Sequence, residues 1–170
     1  HLSDIGENLM SWQQCDNGSA LIDGATDGAM QGGDADSATD GDLDIAYSLL
    51  LADQRWGSSE ETPYRETALA MIQDIMDYEV NQEDWLLQLG DWVHECDQSD
   101  SYYSATRSSD FILQYFPVFE AITGDKRWGK LYDGTCAVME SITAEQSTGL
   151  LPDFIVKNAT GKFIPAPKNF

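Results

Sequence analysis

The chain has 170 residues, enough for one domain with a hydrophobic core or for part of a larger domain. Thirty Asp and Glu residues against nine Lys and Arg give a formal net charge of −21, which argues against nucleic-acid binding and suits a highly soluble surface, a salty environment or a polycationic partner. No run of about 18 apolar residues is present, so the sequence predicts no membrane span.

The chain opens with His1-Leu2-Ser3, without an initiating Met or a signal peptide, so we expect a mature or excised piece. Residues 5–12 have the pattern of the end of a helix. Residues 15–33 are rich in Gly, Asp, Asn and Ser, which predicts a loop. Trp12 lies at the start of this loop, where it could pack in a core or serve as a platform for a ligand.

The most informative stretch, residues 34–56, begins with five aspartates and continues as an apolar helix. Ser37 and Thr39 are favourable helix N-cap residues, and Gly41 gives the backbone of the turn conformational freedom. The predicted buried stripe of this helix is Ile45, Leu49 and Ala52. The sequence therefore predicts an acidic loop on a helix N-terminus; its aspartates are Asp34, Asp36, Asp40, Asp42 and Asp44.

Three interpretations of these aspartates stay open. They could be a solvated acidic cap, because carboxylates are favourable near a helix N-terminus. They could form an irregular calcium loop, since Asp40, Asp42 and Asp44 alternate, although Ile45 and Leu51 stand where an EF-hand needs Gly and Glu. They could also include a glycosidase carboxylate.

Three further helices are predicted, over residues 62–78, 109–123 and 127–143. The first has Thr62 as N-cap and Pro63 at its first position, and the second ends at Gly124. Their predicted buried residues are Ala68, Ile72, Ile75 and Met76 in the first, and Phe111, Tyr115, Val118, Phe119 and Ile122 in the second.

Two parts of the chain lack helical periodicity. Residues 81–106 are polar and irregular but contain Trp85, Trp92, Tyr102 and Tyr103, and a long loop in a compact domain is usually functional. Residues 149–170 predict a loop with a short strand. The triplet Arg55-Trp56-Gly57 recurs as Arg127-Trp128-Gly129, a weak internal repeat. Stacked helical hairpins of this size must pack side by side, so the sequence predicts an all-α toroid.

The three cysteines, Cys15, Cys96 and Cys136, are widely spaced and have only His1 and His94 to help them bind a metal. This argues against a zinc site and allows at most one internal disulfide. We expect Cys136 to be a buried free thiol, and we expect no metal or other cofactor.

Four strings of residues resemble one known family. Ala38-Thr39-Asp40-Gly41-Asp42, followed by Ile45-Ala46, Ser48-Leu49-Leu50, Ala52 and Trp56, is similar to the signature of glycoside hydrolase family 8, whose members include endoglucanases, lichenases, chitosanases and xylanases. The other strings are Leu9-Met10-Ser11-Trp12-Gln13, Leu89-Gly90-Asp91-Trp92, which resembles the chitosanase and lichenase branch, and Thr106-Arg107-Ser108-Ser109-Asp110-Phe111, in which Ser108 replaces a Pro of the family pattern.

The resemblance implies an (α/α)6 barrel with a substrate cleft at one end, of which this chain would be the middle part. It implies that Asp40 is an active-site carboxylate where the bond breaks and that Trp12 and Trp92 stack on sugar rings. Asp42, Asp91, Arg107 and Asp110 are then expected to bind or orient the substrate.

The implied function is that of a secreted, inverting endo-β-1,4-glycosidase acting on a polysaccharide such as chitosan or a β-glucan (cellulose, lichenan). The family's general acid, a Glu in a Ser-Glu-Gly string, is absent from these residues, and the resemblance places the base beyond Phe170. We therefore expect a partial catalytic domain that is inactive alone, needs other chains or segments to complete the barrel, and exposes an apolar patch at its outermost helices. A glycan-binding or structural module that keeps the cleft without catalysis is the alternative.

Overall fold

The computed structural model describes residues 2–16, 21–23, 35–144, 147–168 and 170. Its α-helices are α1 (Thr39–Trp56), α2 (Tyr64–Tyr78), α3 (Tyr115–Thr123) and α4 (Arg127–Thr143). Its strands are β1 (Gln14–Asp16), β2 (Leu21–Asp23), β3 (Val80–Asn81), β4 (Leu86–Leu87), β5 (Thr106–Arg107), β6 (Phe154–Lys157) and β7 (Phe163–Pro165). Short 3₁₀ helices cover Asp91–Glu95 and Ser108–Asp110.

The fold is mostly helical, and the expectation of an all-α chain is corrected by these strands. β1 pairs with β2, and β3 pairs with β4, each antiparallel. β5, β6 and β7 form an antiparallel sheet in that order, in which Thr106 faces Ile155 and Ile155 faces Pro165. The pairing of β5 with β6 joins segments far apart in sequence, which no local pattern can indicate. No helix among the described residues is long and apolar enough to cross a membrane.

The chain divides into two compact units. The first contains His1–Tyr78 and Gly90–Trp92, and the second contains Glu79–Leu89 and Val93–Phe170. Each unit is described by itself below.

In the first unit, α1 packs against α2. The buried face predicted for α2 is confirmed, with Met71 added to it. The stripe predicted for α1 is wrong in part: Ala52 is buried, but Ile45 is 36% exposed, and the helix instead buries Leu43, Ala46 and Leu50. The apolar residues of α1 cover most of its circumference, so periodicity alone did not decide which of them face α2.

The beginning of the first unit also differs from the prediction. Residues 5–12 form turns and not the end of a helix, and Leu2 and Met10 form an isolated antiparallel bridge. Ser3 donates its backbone N–H to Leu9, and Leu9 donates to Gly6, so the segment folds back on itself. Gly6 lies against the fully buried Leu9, where a Cβ atom would come within 2.5 Å of the leucine Cδ1.

In the second unit, α4 has the predicted boundaries, whereas α3 begins later than predicted. Residues 108–110 form a 3₁₀ helix that ends at Phe111, so the chain turns before α3 begins at Tyr115. Gly124 ends α3 in the left-handed conformation, with φ of 74°, as predicted. Phe116 and Phe119 pack against the buried Trp128 of α4, with the Phe119 and Trp128 ring centroids 4.9 Å apart.

A second cluster of the same unit joins α4 to the sheets: Leu86, Val138, Ile142 and Ile155 are buried together. Trp85, in the turn between β3 and β4, has a positive φ of 54° and faces α4, where Gly134 leaves room for its backbone and Lys130 lies 4.5 Å from its ring centroid.

The two related triplets play different structural parts. Trp56 is the last residue of α1 and is 73% exposed, whereas Trp128 lies in the first turn of α4 and is 1% exposed. The repeat therefore does not mark equivalent positions. Cys136 is a free thiol as predicted, but it is half-buried, as is the free Cys96. The Cys15 side chain, Asp34 and most of the predicted loop 15–33 lie outside the described residues.

Exposed apolar side chains occur in both units, among them Leu51 in the first and Leu150 in the second. The predicted apolar patch at the outermost helices stays a prediction.

Candidate active site

Asp40 lies in the first turn of α1, one residue after the helix begins, and its side chain is half-buried. Its Oδ1 accepts a hydrogen bond from the N–H of Gly41 at 2.9 Å. The free backbone N–H groups and the dipole of a helix N-terminus favour a negative charge there. The cap residue is Ala38, without a side-chain cap bond, so the predicted caps Ser37 and Thr39 are corrected: Thr39 is the first helical residue, and Gly41 lies inside the first turn.

Asp42 is on the buried side of α1 and is 1% exposed. Its Oδ1 accepts the backbone N–H of Met10 at 2.9 Å, which holds the segment before Trp12 against the helix. A carboxylate this deeply buried offers almost no surface to a sugar, so the structure does not support direct substrate binding by Asp42.

Trp12 is held beside the same helix start but extends into solvent. Its backbone N–H donates to the carbonyl of Asp36 at 2.9 Å, and its side chain is 54% exposed. Two bonds thus tie this segment to the residues flanking Asp40, the one from Met10 to Asp42 and the one from Trp12 to Asp36. An exposed indole fixed at its backbone can present an apolar face to a ligand.

Asp91 is fully buried and joins three segments of the first unit. Its Oδ2 accepts bonds from the Ser3 hydroxyl and from the Gly6 N–H, the latter at 3.1 Å. Its Oδ1 accepts the Ser37 N–H at 2.8 Å, and its own N–H donates to the Ser37 hydroxyl at 3.0 Å. With no exposed surface, this carboxylate holds protein segments together, so direct substrate binding by Asp91 is not supported either.

Trp92 follows Asp91 and is partly exposed. Its indole lies against Gly90, where an added Cβ would come within 2.9 Å of both Cδ1 and Nε1. The same Cβ would lie 2.3 Å from the carbonyl oxygen of Ser37. Only glycine fits between the Ser37 backbone and the indole, so this close approach fixes Trp92 next to the segment that leads into Asp40.

Arg107 and Asp110 lie in the second unit. The Arg107 side chain is 41% exposed; its Nε donates to Asp153 Oδ1 at 2.9 Å, and its guanidinium lies 5.0 Å from the ring centroid of Phe154. Asp110 is nearly fully buried and accepts the Ser109 hydroxyl at 2.7 Å in the 3₁₀ helix. The Arg107 side chain is thus accessible to a ligand, whereas Asp110 stabilises the 3₁₀ turn in which it lies.

The calcium-loop interpretation is not supported by this geometry. Asp40, Asp42 and Asp44 all lie in α1, where residues two apart point to nearly opposite sides of the helix. Asp42 is accordingly buried while Asp44 is exposed. Among the residues that the structure describes, no group of three or more His, Cys, Asp and Glu could hold a metal ion.

Comparison with known proteins identifies the family. The sequence model of Glycosyl hydrolases family 8 matches residues 1–168. The chain belongs to this family. The family 8 chain is 42% identical over 172 aligned residues to a beta-glucanase of Niallia circulans, an alignment that covers 100% of this chain and 38% of that protein. It is 40% identical to an endoglucanase of Bacillus sp. strain KSM-330, over 99% of this chain and 32% of that protein.

A solved structure gives the same result for the fold. The apo structure of a beta-1,3-1,4-glucanase from Paenibacillus sp. X4 matches with a TM-score of 0.81 and 40% identity, over 98% of this chain and 40% of that chain. The family 8 chain therefore spans about two fifths of this structure, and 38% and 32% of the lengths of the two relatives.

Sequence reasoning missed the residues that hold the segments of this candidate site together. Ser3 and Gly6 were not singled out, although both donate hydrogen bonds to Asp91. Ser37 was predicted to cap α1, whereas its hydroxyl accepts the Asp91 N–H. Ser3 and Asp91 are 88 positions apart, so no local spacing could indicate their bond.

Proposed function

We propose that the protein to which this chain belongs is an inverting endo-β-1,4-glycosidase that hydrolyses a β-glucan. The observation that carries the proposal is the 40% identity, at a TM-score of 0.81, to a beta-1,3-1,4-glucanase over nearly the whole chain. The relatives named beta-glucanase and endoglucanase agree with a glucan as substrate. A β-glucan such as cellulose or lichenan is found outside the cytoplasm, so we also propose that the protein is secreted.

Chitosan is the competing substrate. The formal charge of −21 would attract a cationic polymer by long-range electrostatics. The same charge is equally suited to solubility, however, and the relatives named here carry glucanase names. We therefore place the β-glucan first and use chitosan as the alternative in the test.

In the proposed reaction, a general acid protonates the leaving oxygen while a general base activates water on the opposite face of the sugar. Neither group is assigned to this chain. Asp40 has the third role: its half-exposed carboxylate at the start of α1 orients the sugar whose bond breaks. Hydrogen bonds that tighten as a sugar distorts toward its transition state contribute to the rate.

The aromatic side chains supply binding. Trp12 and Trp92 lie beside the segment that leads into Asp40 and offer faces on which pyranose rings can stack. Arg107, with its exposed guanidinium, is proposed to bind sugar hydroxyls, and Asp110 to support the turn that carries it.

The first prediction tests Asp40. In the full-length protein, Asp40→Asn should keep the fold and lower turnover of mixed-linkage β-glucan at least about a hundredfold, the effect of losing one positioned polar group in a transition state, about 2.7–4 kcal/mol. Turnover is measured on mixed-linkage β-glucan, carboxymethylcellulose and chitosan. Full activity of the variant would show that Asp40 is not part of the active site. If the wild-type protein binds glucans without cleaving them, the non-catalytic module is the correct alternative. If it cleaves chitosan faster than either glucan, chitosan is its preferred substrate.

The second prediction concerns stacking by Trp12. Trp12→Ala should weaken binding of cello-oligosaccharides about three- to tenfold, the loss expected for an aromatic contact. The melting temperature should change by less than about 2 °C, because the indole is mostly solvent-exposed. Isothermal titration measures the affinity. Trp56→Ala, which removes an exposed indole from the other end of α1, is the matched control and should bind normally. Equal losses in both variants would contradict a specific platform.

A further inference from the structure

Asp91 is the most deeply buried acidic side chain near the candidate site, and its carboxylate makes no contact with solvent. Its hydrogen-bond donors are Ser3, Gly6 and Ser37, which come from two segments distant in sequence. Asp91 itself lies between Gly90 and Trp92 in a third segment. The carboxylate is therefore the point at which three separate pieces of chain meet.

Each of these three segments leads to a side chain of the proposed site. The segment with Ser3 and Gly6 continues to Trp12, whose N–H is bound by Asp36. The segment with Ser37 continues directly into α1 and Asp40. In the third segment, Gly90 lies between the Ser37 carbonyl and the Trp92 indole, because a Cβ added at Gly90 would clash with both. Displacing any one segment would change the placement of its side chain relative to the other two.

The arrangement requires a carboxylate. Both oxygens accept hydrogen bonds from backbone N–H groups, Oδ1 from Ser37 and Oδ2 from Gly6. An asparagine has one oxygen and one NH₂ group, so in either orientation its amide would direct a donor at a backbone donor. The backbone cannot reverse its polarity, and one segment must move away.

We propose that Asp91 is a positioning residue for the glycosidase reaction: its carboxylate sets the placement of Trp12, Asp40 and Trp92 relative to one another. This inference rests on the proposed function, because it assumes that these three side chains face the substrate. It gives Asp91 a different role from the substrate contact expected from the sequence. The proposal gives each residue at positions 90–92 its own role. Gly90 allows the close approach to the Ser37 backbone, Asp91 joins the three segments, and Trp92 offers a face for a sugar ring.

The test compares Asp91→Asn with Asp74→Asn in the full-length protein. Asp74 is a suitable control because its carboxylate also accepts a backbone N–H, that of Asn8 at 2.9 Å in the same segment as Ser3, but through a hydrogen bond that is exposed to solvent. We measure kcat and KM on mixed-linkage β-glucan well below the melting temperature, together with the pH dependence of kcat.

Asp91→Asn should lower kcat about ten- to a hundredfold, because a displacement of about 1 Å in a catalytic constellation has an effect of that size. The shape of the pH profile should be unchanged, since Asp91 exchanges no proton in the reaction. Asp74→Asn should stay within about twofold of wild type, as expected for an exposed side chain. A lower melting temperature with unchanged kcat would overturn the proposal in favour of a purely structural role. The loss of one limb of the pH profile would overturn it in favour of direct proton transfer.

A second variant covers the case in which Asp91→Asn does not fold. Ser37→Ala removes the hydroxyl that accepts the Asp91 N–H and leaves both carboxylate oxygens with their backbone donors. It should lower kcat, but by less than Asp91→Asn does, because it weakens the attachment of the segment that leads into Asp40 without removing the carboxylate. An unchanged kcat in Ser37→Ala would overturn the proposal.

A measurement without substrate separates this inference from the proposed function. In full-length protein labelled with 5-fluorotryptophan, single Trp→Phe variants assign the ¹⁹F resonances of the five tryptophans that belong to this chain. Asp91→Asn should shift the resonances of Trp12 and Trp92 and leave those of Trp56 and Trp128 in place. Unshifted Trp12 and Trp92 would overturn the positioning role whether or not the protein cleaves a glucan. Shifted resonances in a protein inactive on every glucan would support the positioning role and contradict the proposed function.

Discussion

Thr135 lies on the buried face of α4, and its side chain is fully enclosed. Its hydroxyl oxygen has no hydrogen-bond partner among the described residues. Thr143, the last residue of α4, is half-buried, and its hydroxyl donates to the Met139 carbonyl at 2.8 Å. The two threonines differ in whether their hydroxyl is satisfied, so the same substitution should have opposite effects on stability.

Thr135→Val should raise the free energy of unfolding by about 1 kcal/mol, because valine has nearly the same shape and removes an unsatisfied buried hydroxyl. Thr143→Val should lower it by about 0.5–1.5 kcal/mol, because it removes a hydrogen bond. Urea denaturation of both variants measures the two values. Equal effects of the same sign would show that the Thr135 hydroxyl is satisfied in solution.

At the level of single residues, the resemblance named the members of the candidate site, but the sequence could not give the depth at which they lie. Trp12, Asp40, Trp92 and Arg107 all keep exposed or partly exposed surface. Asp42, Asp91 and Asp110, which read as equally good substrate ligands in a polar string, are buried. A carboxylate looks the same in sequence whether it accepts a sugar hydroxyl or a distant backbone N–H, and only the folded chain distinguishes the two.

At the level of elements, the start of α4 depends on a single pair of charged side chains. Asp125 precedes the helix; its Oδ1 accepts the Arg127 N–H at 2.9 Å, and its Oδ2 lies 2.7 Å from an Arg127 terminal nitrogen. The hydrogen bond from the Arg127 side chain lowers the pKa of Asp125, with smaller help from the Arg127 backbone N–H and charge, against a rise due to burial. Asp125 is thus held ionised at the helix N-terminus, where a negative charge is favourable.

This pair predicts a specific pH dependence. A carboxyl whose pKa is lower in the folded than in the unfolded chain stabilises the fold above the unfolded value of about 3.9, and that stabilisation is lost as the pH falls through the folded value. Asp125→Asn should therefore lower the melting temperature at neutral pH, and the difference from wild type should shrink as the pH falls below about 4. Thermal unfolding over this pH range provides the measurement. Asp133→Asn, at an exposed position of the same helix, is the control. A difference that stays constant with pH would contradict the prediction.

The helices also show which local signals were sufficient. α2 and α4 were predicted well because strong boundary signals agreed with periodicity: Pro63 just before α2, and Gly124 between α3 and α4. α3 was predicted too long because the apolar residues from Phe111 onward keep a helical spacing across a 3₁₀ turn. The short strand predicted within residues 149–170 is confirmed by β6, but the sheet of β5, β6 and β7 could not be predicted, since its first pairing joins Thr106 to Ile155.

At the level of the whole chain, the net charge of −21 determines how we expect stability to depend on salt. The ion pairs of the described residues involve partly exposed side chains, such as Arg65 with Asp53 at 3.5 Å, and pairs of this kind contribute little each. We therefore expect repulsion among the excess carboxylates of this chain to oppose folding more than its ion pairs favour folding.

Raising the salt concentration should consequently stabilise the protein. Between about 10 mM and about 150 mM NaCl the Debye length falls from about 30 Å to about 8 Å, which screens the repulsion between distant carboxylates. The melting temperature should rise over this interval, as measured by circular dichroism. KCl at the same ionic strength should give the same rise if screening is the cause. A melting temperature that falls with salt would show that the ion pairs outweigh the repulsion.

The junction at Asp91 also bears on the order in which the protein can fold during synthesis. Ser3, Gly6 and Ser37 all leave the ribosome before Asp91 does, since they precede it by between 54 and 88 residues. Until then the emerging chain holds the donors but lacks the acceptor that unites them, so α1 and α2 can pack, and Met10 and Trp12 can bind Asp42 and Asp36, before the junction forms. The surface proposed to face the glucan is thus completed only once Asp91 has been made, and a pause in translation before the Asp91 codon would prolong the interval in which the junction lacks its acceptor.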